Sequence, residues 1–154
     1  MTGASVTPDQ HAAQRLDGRA WLRAAEYEPT AEEPDERFPL RLMTGRTVYH
    51  FHTRTKTGRA EQLQAAAPEP WVELHPDDAA DLGIEDGDPV CVESERGSVT
   101  VAARLYGDRR GQVFLPFHYA RQAANELTMT RWDPVSKQPE FKGGSVRIRV
   151  SPVS

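Results

Sequence analysis

The chain of 154 residues has a single cysteine, Cys91. One thiol cannot close a disulfide within the chain, and it cannot supply the cysteine ligands of an iron–sulfur cluster. Long apolar runs are also missing. None approaches the roughly 20 residues needed to cross a bilayer, and the N-terminus shows no apolar core of a secretory signal. These absences point to a cytoplasmic protein with no membrane partner. Basic excess is absent as well, since the formal net charge is -4 and the sequence pI about 5.7. That balance argues against a nucleic-acid partner, whose binders present a basic face. No P-loop, GxGxxG or nucleophile elbow appears.

One further absence is local. The stretch TGRTVYHFHTRTKTGR, Thr44 to Arg59, contains no acidic residue, although it holds Arg46, Arg54, Lys56, Arg59, His50, His52 and five threonines. A glycine after a strand, followed by Arg and Thr, can turn its backbone N–H groups toward one spot and form an anion site. Guanidinium forks match phosphate oxygens two at a time, and threonine hydroxyls add neutral donors. A solvated basic loop is the plainer alternative. Against it stand the complete lack of acids and the alternation of threonine with cations in RTKT.

His50 and His52 would share a face if they lay on a strand, so a metal is another reading. A zinc site needs three or four ligands, however, and His75, His118 and Cys91 are scattered. No metal ligand and no catalytic residue is assigned. Cys91, in VCVES, reads as a buried apolar residue. Asp77–Asp78 and Asp86/Asp88 fall at a helix start and a turn, where structural roles are expected.

The chain divides into three parts. Residues 1–37 read as a flexible or extended arm, with a short helix near Asp9–Leu16. Its segment EYEPTAEEPDERFP is acidic and holds three prolines, too little apolar surface to fold alone. Residues 38–150 form the compact domain, and 151–154 a tail. Within the domain PLRLM, WVELHP, VCVES, SVTVAARL, VFLPF and SVRIRV read as short strands. VCVES and SVTVAARL flank the turn ERG as a hairpin. VFLPF is apolar on both faces, which predicts a buried strand. In SVRIRV the alternation predicts Val146, Ile148 and Val150 inward. PDDAADLGI reads as a short helix, with Asp77 and Asp78 in its first turn and Gly83 as its C-terminal cap. QAANELT reads as one or two helical turns. This set of strands with brief helices predicts a mainly β fold closed into a barrel, not a parallel α/β sheet.

Five blocks occur in order: TGR…HFHTRTKTGR, then AAAPEPWVELHPDDAADLGIEDGDPVCVESERGSVTVAARL, GQVFLPFH, AANELT and DPVSKQPEFKGGSVRI. Together they resemble the C-terminal molybdopterin dinucleotide-binding domain of molybdenum/tungsten bis-molybdopterin guanine dinucleotide oxidoreductases, with nitrate reductases and formate dehydrogenases most alike. The resemblance covers about residues 38–150. It implies a double-psi β-barrel of the aspartate decarboxylase-like kind. It also implies that Thr44, Gly45, Arg46, Thr47, Val48, Tyr49, His50, Phe51, His52 and Thr53 line the cofactor, together with Asn125 of AANELT and Lys142 of EFKGG. The implied ligand is Mo-bis(molybdopterin guanine dinucleotide) or its tungsten analogue, whose pyrophosphates and donor–acceptor ring edges suit cations, hydroxyls and an amide.

In that family the domain ends a much longer chain, which carries the cluster ligands, the metal-ligating residue and most of the substrate funnel. The expectation is therefore a binding module or small subunit that shares its cofactor with a larger catalytic chain. Alone it is expected to be inactive. Nitrate is the first substrate the resemblance implies and formate the second. The rival readings are a nucleic-acid- or other phosphate-binding barrel using Arg54, Lys56 and Arg59, and an adaptor domain without cofactor.

Overall fold

The computed structural model describes Ala24 and residues 26–151. The short helix expected near Asp9–Leu16 and the last three residues of the tail lie outside the described residues. Six strands close into a barrel: β1 (Leu40–Gly45), β2 (Trp71–Leu74), β3 (Pro89–Glu93), β4 (Ser98–Arg104), β5 (Gln112–Pro116) and β6 (Gly143–Val150), in the spatial order β1-β5-β2-β4-β3-β6. β1 runs parallel to β5 and β2 parallel to β4, while the other four contacts are antiparallel. Closure through two parallel pairs makes this a double-psi β-barrel, as the sequence blocks imply.

Alternation of side chains explains the strands. β4 buries every second residue, Val99, Val101 and Ala103, and β1 turns Leu40, Leu42 and Thr44 inward. Leu42, Leu74, Leu115, Val92 and Val146 meet on the barrel axis, each fully buried. Each such side chain contributes about 1.5–3 kcal/mol relative to exposure. Closure leaves no free strand edge.

The inward row of β6 is shorter than its alternation predicts. Val146 and Ile148 are buried, but Val150 is 46% exposed. Val150 pairs with Val90 at the start of β3, and Ser151 already bonds the Pro89 carbonyl. The strand therefore runs over the barrel rim, where no further layer of side chains covers it.

Two α-helices decorate the barrel, α1 (Glu61–Ala66) and α2 (Pro76–Leu82). In α2 proline sits at the first position, and the His75 Nδ1 accepts from the Asp77 N–H at 3.1 Å. Gly83 ends it with φ +66°, and the Ile84 N–H reaches back to the Ala79 carbonyl at 2.9 Å, a left-handed cap that glycine adopts without strain. Asp78 does more than complement the helix dipole. Its carboxylate accepts from Gly111 N at 2.6 Å and from Arg110 Nε at 3.0 Å, tying α2 to the turn before β5.

Residues 26–37 form neither helix nor strand, and Thr30 and Glu32 lie against the start of β6. The Glu32 carboxylate takes bonds from Ser145 and Arg96, and the Arg41 guanidinium pairs with Glu33.

Candidate functional site

β1 ends at Gly45, beside the parallel end of β5, and the Phe117 N–H bonds the Gly45 carbonyl at 3.1 Å. On its other side β1 meets the start of β6. The Thr44 hydroxyl donates to the Phe141 carbonyl at 2.5 Å, and the Thr44 N–H to the Lys142 carbonyl at 3.4 Å. The barrel thus brings residue 44 and residue 142 together. Between these three chain ends opens a cleft of about 630 Å³, lined by Met43, Thr44, Gly45, Arg46, Phe117 and the run Gln138–Lys142. Its wall is aromatic, with the Phe117 and Phe141 rings 5.9 Å apart and edge to face. Arg46 stands 5.7 Å over Phe117, and Lys142 lies 6.0 Å from the Phe141 ring. Two cations over one aromatic pair offer both charge and a stacking surface.

From Arg46 the chain enters turns, not a strand, so His50 and His52 do not share a face. His50 is buried. Its Nε2 donates to the Ala67 carbonyl at 2.7 Å, the acceptor that Tyr119 also uses, and its Nδ1 lies 3.1 Å from the Thr57 hydroxyl. His52 is exposed, with φ +44°. Among the described residues no group of three His, Cys, Asp or Glu side chains is placed to hold a metal ion. Val48 is 90% exposed and Phe51 58%, with Tyr49 also outward. The loop therefore presents a polar base and an apolar tip.

Behind the loop lies a second cleft of about 360 Å³, lined by Thr53, Arg54, Thr55, Gly58, Arg59, Gln64, His118 and Ala120. Arg54 lies 4.5 Å over the Tyr119 ring and donates to the Gln64 amide oxygen. Two buried side-chain atoms among the described residues lack a hydrogen-bond partner, Thr47 Oγ1 and Arg54 Nε. Buried polar groups are satisfied as a rule, so two unmet atoms in one loop stand out.

His118 was not singled out from the sequence as a site residue, yet it organises this loop. It is 1% exposed, and its ring bonds the loop at both Thr47 and His52. Burial lowers its pKa below the usual histidine value; the bond to His52 opposes this, and the charges of His50, Arg46 and Arg54 reinforce it. The only hint in the sequence is its place directly after the buried run VFLPF.

Asn125 lies in the short 3₁₀ turn Ala124–Glu126 and is exposed. It lines neither cleft. Its turn packs on the β3–β4 hairpin, where Arg96 Nε donates to the Leu127 carbonyl at 3.1 Å. Of the site residues expected from the sequence, the structure gathers Thr44, Gly45, Arg46 and Lys142 in the first cleft and Thr53 in the second.

The closed double-psi barrel thus carries two clefts lined by cationic residues beside the loop that follows β1. The family model of the molydopterin dinucleotide binding domain matches residues 40–145, and the chain belongs to that family. It is 44% identical over 133 residues to the F420-dependent formate dehydrogenase subunit alpha of Methanocaldococcus jannaschii, covering 86% of this chain and 20% of that protein. It also superposes on acetylene hydratase from Pelobacter acetylenicus with a TM-score of 0.65 and 20% identity, covering 74% of this chain and 18% of that one. At that identity the likeness shows the fold alone. The chain spans about a fifth of the length of the formate dehydrogenase subunit it matches. It is a molybdopterin dinucleotide-binding module, a domain found as part of larger oxidoreductase chains. Among the described residues no helix is long and apolar enough to cross a membrane.

Proposed function

We propose that the chain holds the molybdopterin guanine dinucleotide of a formate dehydrogenase-type enzyme, forming one wall of a site whose other wall belongs to a larger catalytic chain. The single observation that carries this is the cleft joining Arg46 at the end of β1 to Lys142 at the start of β6 over the Phe117–Phe141 pair. Phosphate oxygens suit the two cations, and ring systems suit the aromatic wall. Arg54 and Arg59, which line the second cleft, carry guanidinium groups of the kind that bind phosphate oxygens. Bound there, the cofactor's molybdenum or tungsten centre supplies the redox chemistry. The residues of this chain bind and orient it, and they exclude water from one side.

Formate is favoured over nitrate because the 44% identical relative is a formate dehydrogenase subunit. Cys91 is the one cysteine among these 154 residues, so they cannot supply the cysteine ligands of an iron–sulfur cluster. The net charge of -4 favours a discrete phosphate ligand over a nucleic-acid strand.

Titration of the purified chain with guanosine diphosphate, followed by residue-resolved amide shifts, tests the reading. One wall of a two-walled site predicts high-micromolar to millimolar affinity, about -4 to -6 kcal/mol. The shifts should centre on Thr44–Thr53 and Lys142. Shifts confined to the Arg109–Arg110 turn, or equal competition by single-stranded DNA, would refute it.

A further inference from the structure

His118 stands between two backbone groups of the cofactor loop, and their chemistry is fixed. Its Nδ1 lies 2.6 Å from the His52 carbonyl oxygen, and its Nε2 2.8 Å from the Thr47 N–H. A carbonyl only accepts and an amide N–H only donates, so Nδ1 must carry the proton and Nε2 the free lone pair. One neutral tautomer satisfies both bonds. The imidazolium, and the other tautomer, each place a ring N–H against the Thr47 N–H and break the contact.

The surroundings select the same state. The ring is buried against Phe117, 5.1 Å away, with His50 at 5.8 Å and Tyr119 at 6.4 Å. His50, Arg46 and Arg54 all bear on it so as to disfavour a positive charge on the ring, and Arg59 lines the same cleft. Tyr119 is neutral, its phenol pushed up by burial. Within the loop His52 has φ +44° and Arg54 φ +65°, a region non-glycine residues hold only when their surroundings insist on it. His118 fixes the carbonyl of the first of these.

We propose that His118 is the positioning residue of the cofactor loop, a proton-sensitive clamp that holds Thr47–His52 in its ligand-binding shape while neutral and releases it when protonated. The proposal rests on the reading of Thr44–Thr53 as the cofactor loop. Its consequence is that the chain takes up the dinucleotide at neutral pH and loses its grip on it in acid, through a residue that need not touch the ligand.

The test uses nuclear magnetic resonance on the full chain. At pH 7.5 the His118 ring nitrogens should show the Nδ1–H tautomer. The ring and the Thr47 amide should then titrate together, with a midpoint below the ordinary 6.5. Thr47 should lose on the order of tenfold in exchange protection in His118→Ala, an opening of the loop without unfolding of the barrel. His118→Gln places an uncharged acceptor near the Nε2 position, so it should keep much of the protection and abolish the titration. The Nε2–H tautomer at pH 7.5, or a Thr47 amide blind to the His118 titration, would overturn the clamp. Guanosine diphosphate added at pH 7.5 separates the two readings. Loop shifts that weaken in His118→Ala support both, whereas shifts elsewhere with the clamp intact sink the assignment of the loop to the cofactor.

Discussion

The Glu32 carboxylate accepts from both the backbone N–H and the hydroxyl of Ser145, each at 2.7 Å. Arg96 closes the same carboxylate from the other side at 2.8 Å. The segment before the barrel is thereby fastened to β6 three residues beyond Lys142. Gly143 and Gly144 make room for it, because a Cβ on Gly143 would stand 3.3 Å from Thr30 Cγ2. The glycine pair, directly after Lys142, lets another part of the chain lie close.

Glu32→Gln should cost about 1–3 kcal/mol of stability at pH 7, the range for weakening a partly buried charged bond. Burial alone raises this carboxyl, but the bonds from Arg96 and Ser145 outweigh it and hold the pKa below the ordinary 4.5. The folded value is the lower one. The stability from Glu32 is therefore full above the unfolded value and drains as pH falls through the folded value. Urea unfolding between pH 5 and pH 3 should show a shallower acid loss in Glu32→Gln than in wild type. Parallel curves would mean that the segment is not docked in solution.

Gly45 closes β1 under the Phe114 ring, and a Cβ there would lie 2.7 Å from Phe114 Cε2. Gly45→Ala should destabilise by about 1–3 kcal/mol through overpacking. Because the contact is with a side chain, Phe114→Leu in the same chain should recover part of the loss, a coupling of about 0.5–3 kcal/mol in a double-mutant cycle. Strict additivity of the two melts would show that the close approach is not what glycine serves.

The barrel was legible wherever the apolar pattern of a strand is clear. β1 and the β3–β4 hairpin follow from alternation, β5 from a run apolar on both faces, and α2 from its acidic first turn and Gly83. Helix α1 was not read, and none of its residues is buried, so it has no apolar stripe; it rests on the helix propensity of Ala, Glu, Gln and Leu. The loop's cationic character was legible, but its shape was not. The positive φ values fall on His52 and Arg54, neither of which announces a turn as glycine does. His118 stayed hidden for a different reason. Its role lies in two bonds to residues 71 and 66 positions away, and no local pattern encodes such a contact.

Lys142 is exposed and lies 6.0 Å from the Phe141 ring. Lys142→Ala should change the melt by about 0–1 kcal/mol, as exposed charges do. It should weaken pyrophosphate and guanosine diphosphate binding alike, by about 1–3 kcal/mol where the charged bond is desolvated. Calorimetric titration beside thermal melts reads both quantities. Unchanged affinity for both ligands would return Lys142 to the solvated surface.

Asn125 is the sharper case, because the structure places it outside both clefts. Its turn is anchored from below by buried Ala124 and Leu127, and Gly97 lies so close that a Cβ there would meet the Glu126 carbonyl at 3.0 Å. The backbone is therefore held without help from the Asn125 amide, whose own main-chain carbonyl accepts the Thr128 hydroxyl at 3.3 Å. Asn125→Ala should shift stability by no more than about 0.5 kcal/mol. A ligand role shows itself in a selective loss. An amide reads the donor–acceptor edge of a ring and carries no charge, so affinity for guanosine diphosphate should fall while affinity for bare pyrophosphate stays the same. Lys142→Ala lowers both, and the pair of variants separates edge from charge. Loading of the intact cofactor in the assembled enzyme, read as bound pterin, should follow the guanosine diphosphate result. Full loading with Asn125→Ala, together with unchanged guanosine diphosphate binding, would confine the residue to its turn.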